Sequence, residues 1–514
     1  MWSPAIYDDG SASVRLPVLH LITTVLAYTK GPAPLALSAT SREAREVVER
    51  SRHSYQIGPL RSFFSDFSDT PLRVIELHGN SSLKAWRAAY WWITSSRPDA
   101  LLAISCTKMD LSEKTIRAMM GRHKKALRRR VVRLTRGRTP TPASDLSWLR
   151  QLPNLTHLDL SFCEHITNWR PIGALHALRF LAVKCSNLAR LDFLAFCPLL
   201  EELQLKNCTR VQNWGVVGVL NHLRVLQADF SSLHDLSFLA GCNELEELSL
   251  DRCGGISDWS PIGLLRDLHS LSLASTGVRD LRFLPSCGFL EVLNLAGCRH
   301  VESYHPLAGL HHLRVLSAEN SNLRDLGFVP ACAFLQELHL SRCEGIVDWR
   351  PIGSLRRLRV LNADDTAIRD LTFLATCEAL EGLYLGGCKA IEDWRPIGNL
   401  RQLQILFASY SSLGDLSFLT SCAALRELHV VACTAIEDWR PIGSLRQLHL
   451  LYAGRSRIAD LSFLEGCARL EALSLTRCEG IREWEVLGRL ARLRKLDAPR
   501  DKVKDLVADA VRIV

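Results

Sequence analysis

Leucines and other apolar residues recur along most of the chain in two alternating patterns. Residues 335–357 follow L-x-x-L-x-L-x-x-C-x-x-I, and residues 358–379 follow L-x-x-L-x-A-x-x-T-x-I. Over a short stretch the apolar positions alternate, as at Leu338 and Leu340, which predicts a strand with one buried face. The later apolar positions are an Ile, a Trp or Phe, and a Leu, and they predict a buried turn on the opposite side of each coil.

The two patterns together form a unit of 45 residues that repeats without slippage. The large ring of the first half recurs at that interval at Trp169, Trp214, Trp259, Tyr304, Trp349, Trp394, Trp439 and Trp484. A fixed period of this length indicates a solenoid, in which each unit buries its apolar face against its neighbours. With 47% hydrophobic residues, the chain can fill such an extended core.

Both halves of the unit resemble the leucine-rich repeat, whose L-x-x-L-x-L-x-x-N/C core forms one short strand per coil. The resemblance implies an α/β solenoid, a leucine-rich repeat horseshoe with a parallel concave sheet and short convex helical turns, preceded by a small helical N-terminal segment. The Asp before each convex aromatic, such as Asp348, Asp393 or Asp438, is placed to cap the convex turn.

Fifteen of the 17 cysteines stand at two fixed positions of the unit. One ladder is Cys163, Cys208, Cys253, Cys298, Cys343, Cys388, Cys433 and Cys478, and the other is Cys197, Cys242, Cys287, Cys332, Cys377, Cys422 and Cys467. No C-x-x-C occurs, so structural thiols are favoured over a zinc or redox site. Equivalent thiols two coils apart are about 10 Å apart, too far for a disulfide, so we predict free, mostly buried cysteines.

So many free thiols favour a reducing compartment. We expect the cytoplasm, with the nucleus or the flagellum as alternatives. Residues 16–28 are apolar enough to suggest a secretion signal, but Asp8 and Asp9 replace the basic leader and His20 interrupts the run. The run is also too short to span a bilayer. We therefore expect neither secretion nor membrane insertion.

Residues 17–48 contain two apolar helical patterns separated by a Gly-Pro loop. The segment resembles an F-box, which implies docking to a Skp-type adaptor and a role as the substrate-recognition subunit of a cullin-RING ubiquitin ligase. The residues that would dock are Leu21, Val25, Leu26, Tyr28, Leu35 and Leu37. The alternative is a helical cap that shields the first coil of the solenoid.

Three apolar runs at 72–77, 101–106 and 130–134 predict strands of longer repeats with helices between them. We therefore divide the chain into an F-box-like helical segment (1–56), degenerate helix-bearing repeats (57–134) and a regular array of 22- and 23-residue repeats (135–514). The middle part contains a basic patch, which is formed by Lys124, Lys125, Arg128, Arg129 and Arg130.

The basic patch accounts for much of the net charge of +9. It is interpreted first as a solvated helix face, and the alternatives are a nuclear import signal or a site for an acidic partner. Specific nucleic-acid binding is disfavoured, because no aromatic residues are interleaved to stack on bases.

The 45-residue unit also resembles leucine-rich repeat proteins of trypanosomes and other kinetoplastids, as in "LYLGGCKAIEDWRPIGNLRQLQIL" at 383–406. Some members of that group are described as adenylate cyclase regulators and carry a RING finger. Residues 1–105 contain no cysteine to bind the zinc of a RING. The resemblance therefore concerns the type of repeat. It leaves a structural or regulatory scaffold, cytoskeletal or cyclase-associated, as the alternative to the F-box function.

No catalytic motif stands out, and we expect no enzyme activity, no cofactor and no metal site. We expect a monomer that binds a protein partner on its concave face. The predicted stripe is His339, Tyr384, Phe407, Tyr410, His429, Tyr452 and Arg455, since exposed aromatics beside an Arg are typical of interface hot spots. The alternative is that these rings only pack laterally on one another.

Overall fold

The structure is a computed structural model that describes residues 54–56, 74–78, 101–106, 131–136, 146–506 and 511–513. The F-box-like residues 17–48 and the basic patch at Lys124–Arg130 lie outside the described residues. The chain forms two compact units, the first comprising residues 1–233 and 237–245 and the second comprising residues 234–236 and 246–514. The sequence does not predict this division, because the 45-residue period continues through it.

The first unit contains a parallel sheet in which each strand pairs with the next along the chain. Its strands are β1 (Ser54–Gln56), β2 (Val74–His78), β3 (Leu101–Cys106), β4 (Val131–Arg136), β5 (His157–Asp159), β6 (Phe180–Ala182), β7 (Glu202–Gln204) and β8 (Val225–Gln227). Its described 3₁₀ turns are Ser147–Gln151, Arg170–Ala174, Asp192–Phe196, Trp214–Val219 and Ser237–Gly241.

The strands β2, β3 and β4 coincide with the three apolar runs of the degenerate repeats. Strand β1 was missed, because its residues Ser-Tyr-Gln show no apolar alternation. It lies inside the segment that the sequence assigned to helices, and it pairs in parallel with β2. The stretches between these four strands, where helices were expected, lie outside the described residues.

The second unit continues the same construction. Its strands are β9 (Glu247–Ser249), β10 (Ser270–Ser272), β11 (Val292–Asn294), β12 (Val315–Ser317), β13 (Glu337–His339), β14 (Val360–Asn362), β15 (Gly382–Tyr384), β16 (Ile405–Phe407), β17 (Glu427–His429), β18 (Leu450–Tyr452), β19 (Ala472–Ser474), β20 (Lys495–Asp497) and β21 (Arg512–Ile513). Consecutive strands pair in parallel.

Short turns cover the convex side of the second unit. The 3₁₀ turns are Ser260–Leu264, Leu284–Ser286, His305–Gly309, Val329–Ala331, Arg350–Ser354, Thr372–Thr376, Arg395–Asn399, Ser417–Ser421, Arg440–Ser444, Ser462–Gly466 and Glu485–Arg489, and the α-helix α1 is Arg500–Val503. The predicted α/β solenoid of parallel strands and short convex turns is therefore confirmed, with turns of the tight 3₁₀ type. No described helix is long and apolar enough to cross a bilayer.

The core lies between the sheet and the convex turns. The inward residues of β5 to β20, such as Leu338 and Leu340, are buried. On the convex side the Trp of one half-unit stacks on the Phe of the next, as in Trp439 and Phe463, whose ring centroids are 6.3 Å apart. The recurring Trp and Phe residues of the convex side are therefore part of the scaffold, as the sequence predicted.

The thiols of the first ladder tie consecutive coils together. The Sγ of Cys388 donates to the carbonyl oxygen of Ala363 at 3.1 Å and lies 3.5 Å from the Thr366 hydroxyl. The thiols of Cys208, Cys298, Cys343, Cys433 and Cys478 make the equivalent bond. The 16 cysteines from Cys163 to Cys478 are free, and all of these but Cys185 are buried. Burial raises the pKa of the second-ladder thiol Cys377 to about 11. The prediction of free, buried thiols is confirmed.

The aspartates before the convex aromatics cap the turns. Oδ1 of Asp348 accepts the backbone N–H of Arg350 at 3.0 Å, and the Arg350 guanidinium donates to both carboxylate oxygens. These bonds hold the pKa of Asp348 at about 2. Asp393 and Asp438 repeat the arrangement, so the predicted capping role is confirmed.

Candidate functional site

Each coil of the second unit presents three side chains on the concave face. They are the residue before the first inward residue of the strand, the residue between the two inward residues, and the residue after them. In β13 these are Glu337, His339 and Ser341. Because side chains alternate along a strand, all three point away from the leucine core.

Four consecutive strands carry a ring at the middle concave position. Tyr384, Phe407, His429 and Tyr452 stand in register on β15 to β18. Their centroids are 6.3, 5.0 and 4.6 Å apart in that order. Neighbouring strands are about 4.8 Å apart, so rings in register have to lie against one another. We call these four residues the ring stack.

The ring stack remains partly exposed. Each of its four side chains has an intermediate solvent exposure, and the His429 side chain is 23% exposed. Burial lowers the pKa of His429, which keeps the imidazole neutral at pH 7. The rings do pack laterally, as the alternative interpretation of the sequence held, and they also offer the remainder of their surface to solvent.

Three other residues of the predicted stripe lie apart from the ring stack. His339 is on β13, and Asn362 on β14 separates it from Tyr384. Tyr410 and Arg455 stand just beyond their strands, in the left-handed region with φ of 60° and 56°. Both are exposed at the rim of the sheet. The structure therefore divides the predicted stripe into a compact stack, one separate histidine and two rim residues.

Carboxylates surround the ring stack on the concave face. Glu319, Glu337, Asp364 and Glu427 occupy concave positions of β12, β13, β14 and β17 or directly after these strands. Glu337 and Glu427 were missed in the sequence, although both precede the first inward leucine of their strands and the repeat register could have identified them. The rings and these acids form the candidate site.

Asp364 is the most enclosed of the four carboxylates. Burial raises its pKa to about 6, and the neighbouring charges of Asp365 and Glu319 add to the rise. Its Oδ1 accepts the backbone N–H of Gly386 at 2.6 Å. A Cβ at Gly386 would lie 2.6 Å from Cε1 of Phe407 and 3.1 Å from Oδ1 of Asp364. Because Gly386 has no side chain, the Phe407 ring and the Asp364 carboxylate can both lie close to its Cα.

A second row of rings lies on the lateral side of the same unit and was not predicted. Phe289, His312 and Phe334 follow one another at centroid distances of 5.9 and 6.4 Å, and the Arg357 guanidinium lies 4.5 Å from the Phe334 ring. Phe289 is 55% exposed. We call these three ring residues the lateral row. The sequence could have revealed this row, because an aromatic residue stands just before the first leucine of three successive repeats.

The convex side offers a groove of about 860 Å³ between the layers of Trp259 and Phe283. Several of its polar groups bind one another, since Asp280 binds the Arg282 guanidinium at 2.6 Å and Asp258 accepts the N–H of Ser260. Among the described residues, no cluster of three or more His, Cys, Asp or Glu side chains is arranged to hold a metal ion. The concave rings and acids are the more distinctive surface.

Comparisons with known proteins agree with this architecture. Residues 267–508 match a family model described as a leucine-rich repeat region, and residues 151–168 match a second leucine-rich repeat model. A leucine-rich repeat protein of Leptospira interrogans has a similar structure. It is 21% identical, with a TM-score of 0.62, over 73% of this chain and 98% of that protein.

Two Listeria monocytogenes structures are also similar, although less so. An internalin, inlF, is 22% identical with a TM-score of 0.49, over 63% of this chain and 88% of its own. The functional domain of InlJ, described as including a cysteine ladder, is 17% identical with a TM-score of 0.42, over 73% of this chain and 69% of its own. No protein of curated function matches the sequence significantly.

Proposed function

We propose that the chain, whose residues 267–508 match a leucine-rich repeat model, is a non-enzymatic binding protein whose second unit holds a protein partner against the ring stack. The observation that carries the proposal is the run of four partly exposed rings on four consecutive strands. Solenoids of this kind use extended concave surfaces to bind other proteins.

Aromatic side chains suit such a surface. Tyr and Phe present a large contact area and have only two side-chain torsions to immobilise, so ordering them on binding costs little entropy. Here the rings already support one another, as at Phe407 and His429, whose centroids are 5.0 Å apart. A surface that is ordered before binding loses less free energy on association.

Site-specific photo-crosslinking in the full-length chain tests the proposal. A photoreactive phenylalanine analogue replaces Tyr384 in one variant and Val347 in another, because Val347 lies on the convex side and is 92% exposed. Crosslinking in cells that express the protein should recover a defined protein from position 384 and not from position 347. Recovery of no protein from position 384, or of the same proteins from both positions, would reject the concave site.

We further propose that residues 17–48 dock a Skp-type adaptor, which would make the protein a ubiquitin-ligase subunit. The support is the sequence match alone, since the segment lies outside the described residues. The wild-type chain should retain the purified adaptor on a column, and Leu26→Asp should not. If neither form retains it, the scaffold without a ubiquitin link, cytoskeletal or cyclase-associated, takes its place.

We also propose a cytoplasmic location, which the free and buried thiols of the ladders support. Disulfide exchange in an oxidising compartment would compete with folding of a chain that carries 17 cysteines. A fluorescent fusion should be found outside the secretory route. Its accumulation in the endoplasmic reticulum or the medium would contradict the proposal.

A further inference from the structure

The concave positions around the ring stack carry a net negative charge, and the exposed Arg455 stands beyond them at the rim. Each coil from β12 to β18 has three concave positions. Over all these coils, four of the positions carry a carboxylate and none carries Lys or Arg. The four acids are Glu319, Glu337, Asp364 and Glu427. All stand within a few strands of the rings, so the same partner would meet both.

The partners of these carboxylates are neutral or weakly basic groups. Glu427 lies 3.9 Å from Nε2 of His429, which burial keeps neutral at pH 7. Oε2 of Glu337 lies 3.5 Å from Nε2 of His339. Glu319 accepts the side-chain amide of Asn362 at 3.3 Å. A carboxylate accepts about four hydrogen bonds, so each retains free acceptor sites.

The rings lie within the field of these acids. Burial raises the pKa of the Tyr384 hydroxyl, and the charges of Glu427, Asp364 and Glu337 raise it further. The face of an aromatic ring is itself electronegative and attracts a guanidinium or ammonium group within about 6 Å. Within the stack, Phe407 and His429 have a ring neighbour on each face, so the face beside Asp364 that has no ring against it is the outer face of Tyr384, toward β14. Rings and carboxylates on this face therefore favour the same kind of ligand atom.

Gly386 brings the two kinds of group together. Cε1 of Phe407 and Oδ1 of Asp364 lie 2.6 and 3.1 Å from where its Cβ would be, so the ring and the carboxylate are close neighbours at this residue. A long side chain that ends in a cation can lie along the outer face of Tyr384 and reach the carboxylate. His429 and Tyr452, on the two strands after Phe407, are also partly exposed and extend the surface for further residues of a peptide.

We propose that the ring stack recognises a positively charged segment of the partner protein, with a Lys or Arg side chain lying against the outer face of Tyr384 and reaching Asp364. The inference rests on the proposed function and specifies the chemistry of the partner at the same site. Charge complementarity selects a basic segment, because an acidic one would meet four like charges.

Fluorescence anisotropy with two labelled peptides tests the inference on the full-length chain. One peptide alternates Arg and Gly over nine residues, and the other carries Glu in place of each Arg. The Arg peptide is expected to bind and the Glu peptide to bind at least about tenfold more weakly, with the difference shrinking as salt screens the charges. Equal affinity for both peptides, or no binding of the Arg peptide, would overturn the inference.

Two matched double variants assign the effect to the concave face. Asp364→Asn with Glu427→Gln removes two charges beside the rings, and Glu392→Gln with Glu437→Gln removes two exposed charges on the convex side. The concave pair should weaken the Arg peptide by about tenfold or more, and the convex pair should leave it unchanged. Equal weakening by both pairs would show binding to the net charge alone and reject the site.

The photo-crosslinking result separates this inference from the function it rests on. If position 384 crosslinks a partner while the Arg peptide fails to bind, the basic chemistry is wrong and the concave site stands. If position 384 crosslinks nothing, the proposed function fails and the inference with it. Circular dichroism of each variant has to match that of the wild type.

Discussion

Replacing Tyr384, Phe407 and Tyr452 together with alanine is expected to lower the affinity for the crosslinked partner by at least a factor of about 1,000. An aromatic anchor at the centre of an interface contributes on the order of 2 kcal/mol when it is truncated. Three such losses exceed the roughly 4 kcal/mol that corresponds to a thousandfold change, even if they are not fully additive. Isothermal titration calorimetry with the purified partner measures the change.

The lateral row supplies the matched control. Changing Phe289, His312 and Phe334 to alanine also removes three neighbouring rings from the surface of the second unit. This variant should bind the partner as the wild type does, and both variants should keep the wild-type circular dichroism spectrum. A concave variant that folds and still binds the partner normally would disprove the role of the ring stack. Equal losses in the two variants would do the same.

Leu361→Ala is expected to lower the free energy of unfolding of the second unit by about 3 kcal/mol, the usual cost of a leucine-sized cavity in a close-packed core. Leu361 is an inward residue of β14 and is fully buried. In a solenoid each coil packs only on its neighbours, so the cavity should loosen β13, β14 and β15 before more distant coils. Hydrogen exchange of individual amides measures both the size and the location of the effect.

Val347→Ala is the control for this cavity. Its side chain is 92% exposed, so truncation should change the unfolding free energy by less than about 0.5 kcal/mol. If Leu361→Ala unfolds at the same denaturant concentration as Val347→Ala, the inward leucines are not the main source of stability. A uniform loss of protection along all coils would instead show that the unit unfolds as a single cooperative body.

The sequence predicted the scaffold because its constraints are local and repeated. Most coils place Leu residues inward, close the strand with a small thiol or hydroxyl, and cap the convex turn with Asp, so the same residue types return at fixed spacing. Strand β1 has none of these features, which is why it was missed. Nothing in the period marks the division near Leu245.

The candidate site was only partly predictable, because it depends on side chains that the scaffold leaves free to vary. The register placed Tyr384, Phe407, His429 and Tyr452 on one face, and the stack follows from the spacing of the strands. The field around Asp364 arises from charges on several different coils together with the depth of the carboxylate. The sequence of a single repeat therefore does not predict the electrostatic environment of this carboxylate.

The thiol ladder determines how many coils can be added to or removed from the array at once. Six thiols of the first ladder donate to a carbonyl of the preceding hydroxyl-bearing coil, as Cys388 does to Ala363 and Cys433 to Ala408. Removing one coil would set two coils of the same type side by side and leave such a donor without its partner. Removing or duplicating a 45-residue pair keeps thiol-bearing and hydroxyl-bearing coils in alternation. The packing is therefore preserved when coils are added or removed in pairs, whether by recombination between gene segments or by design.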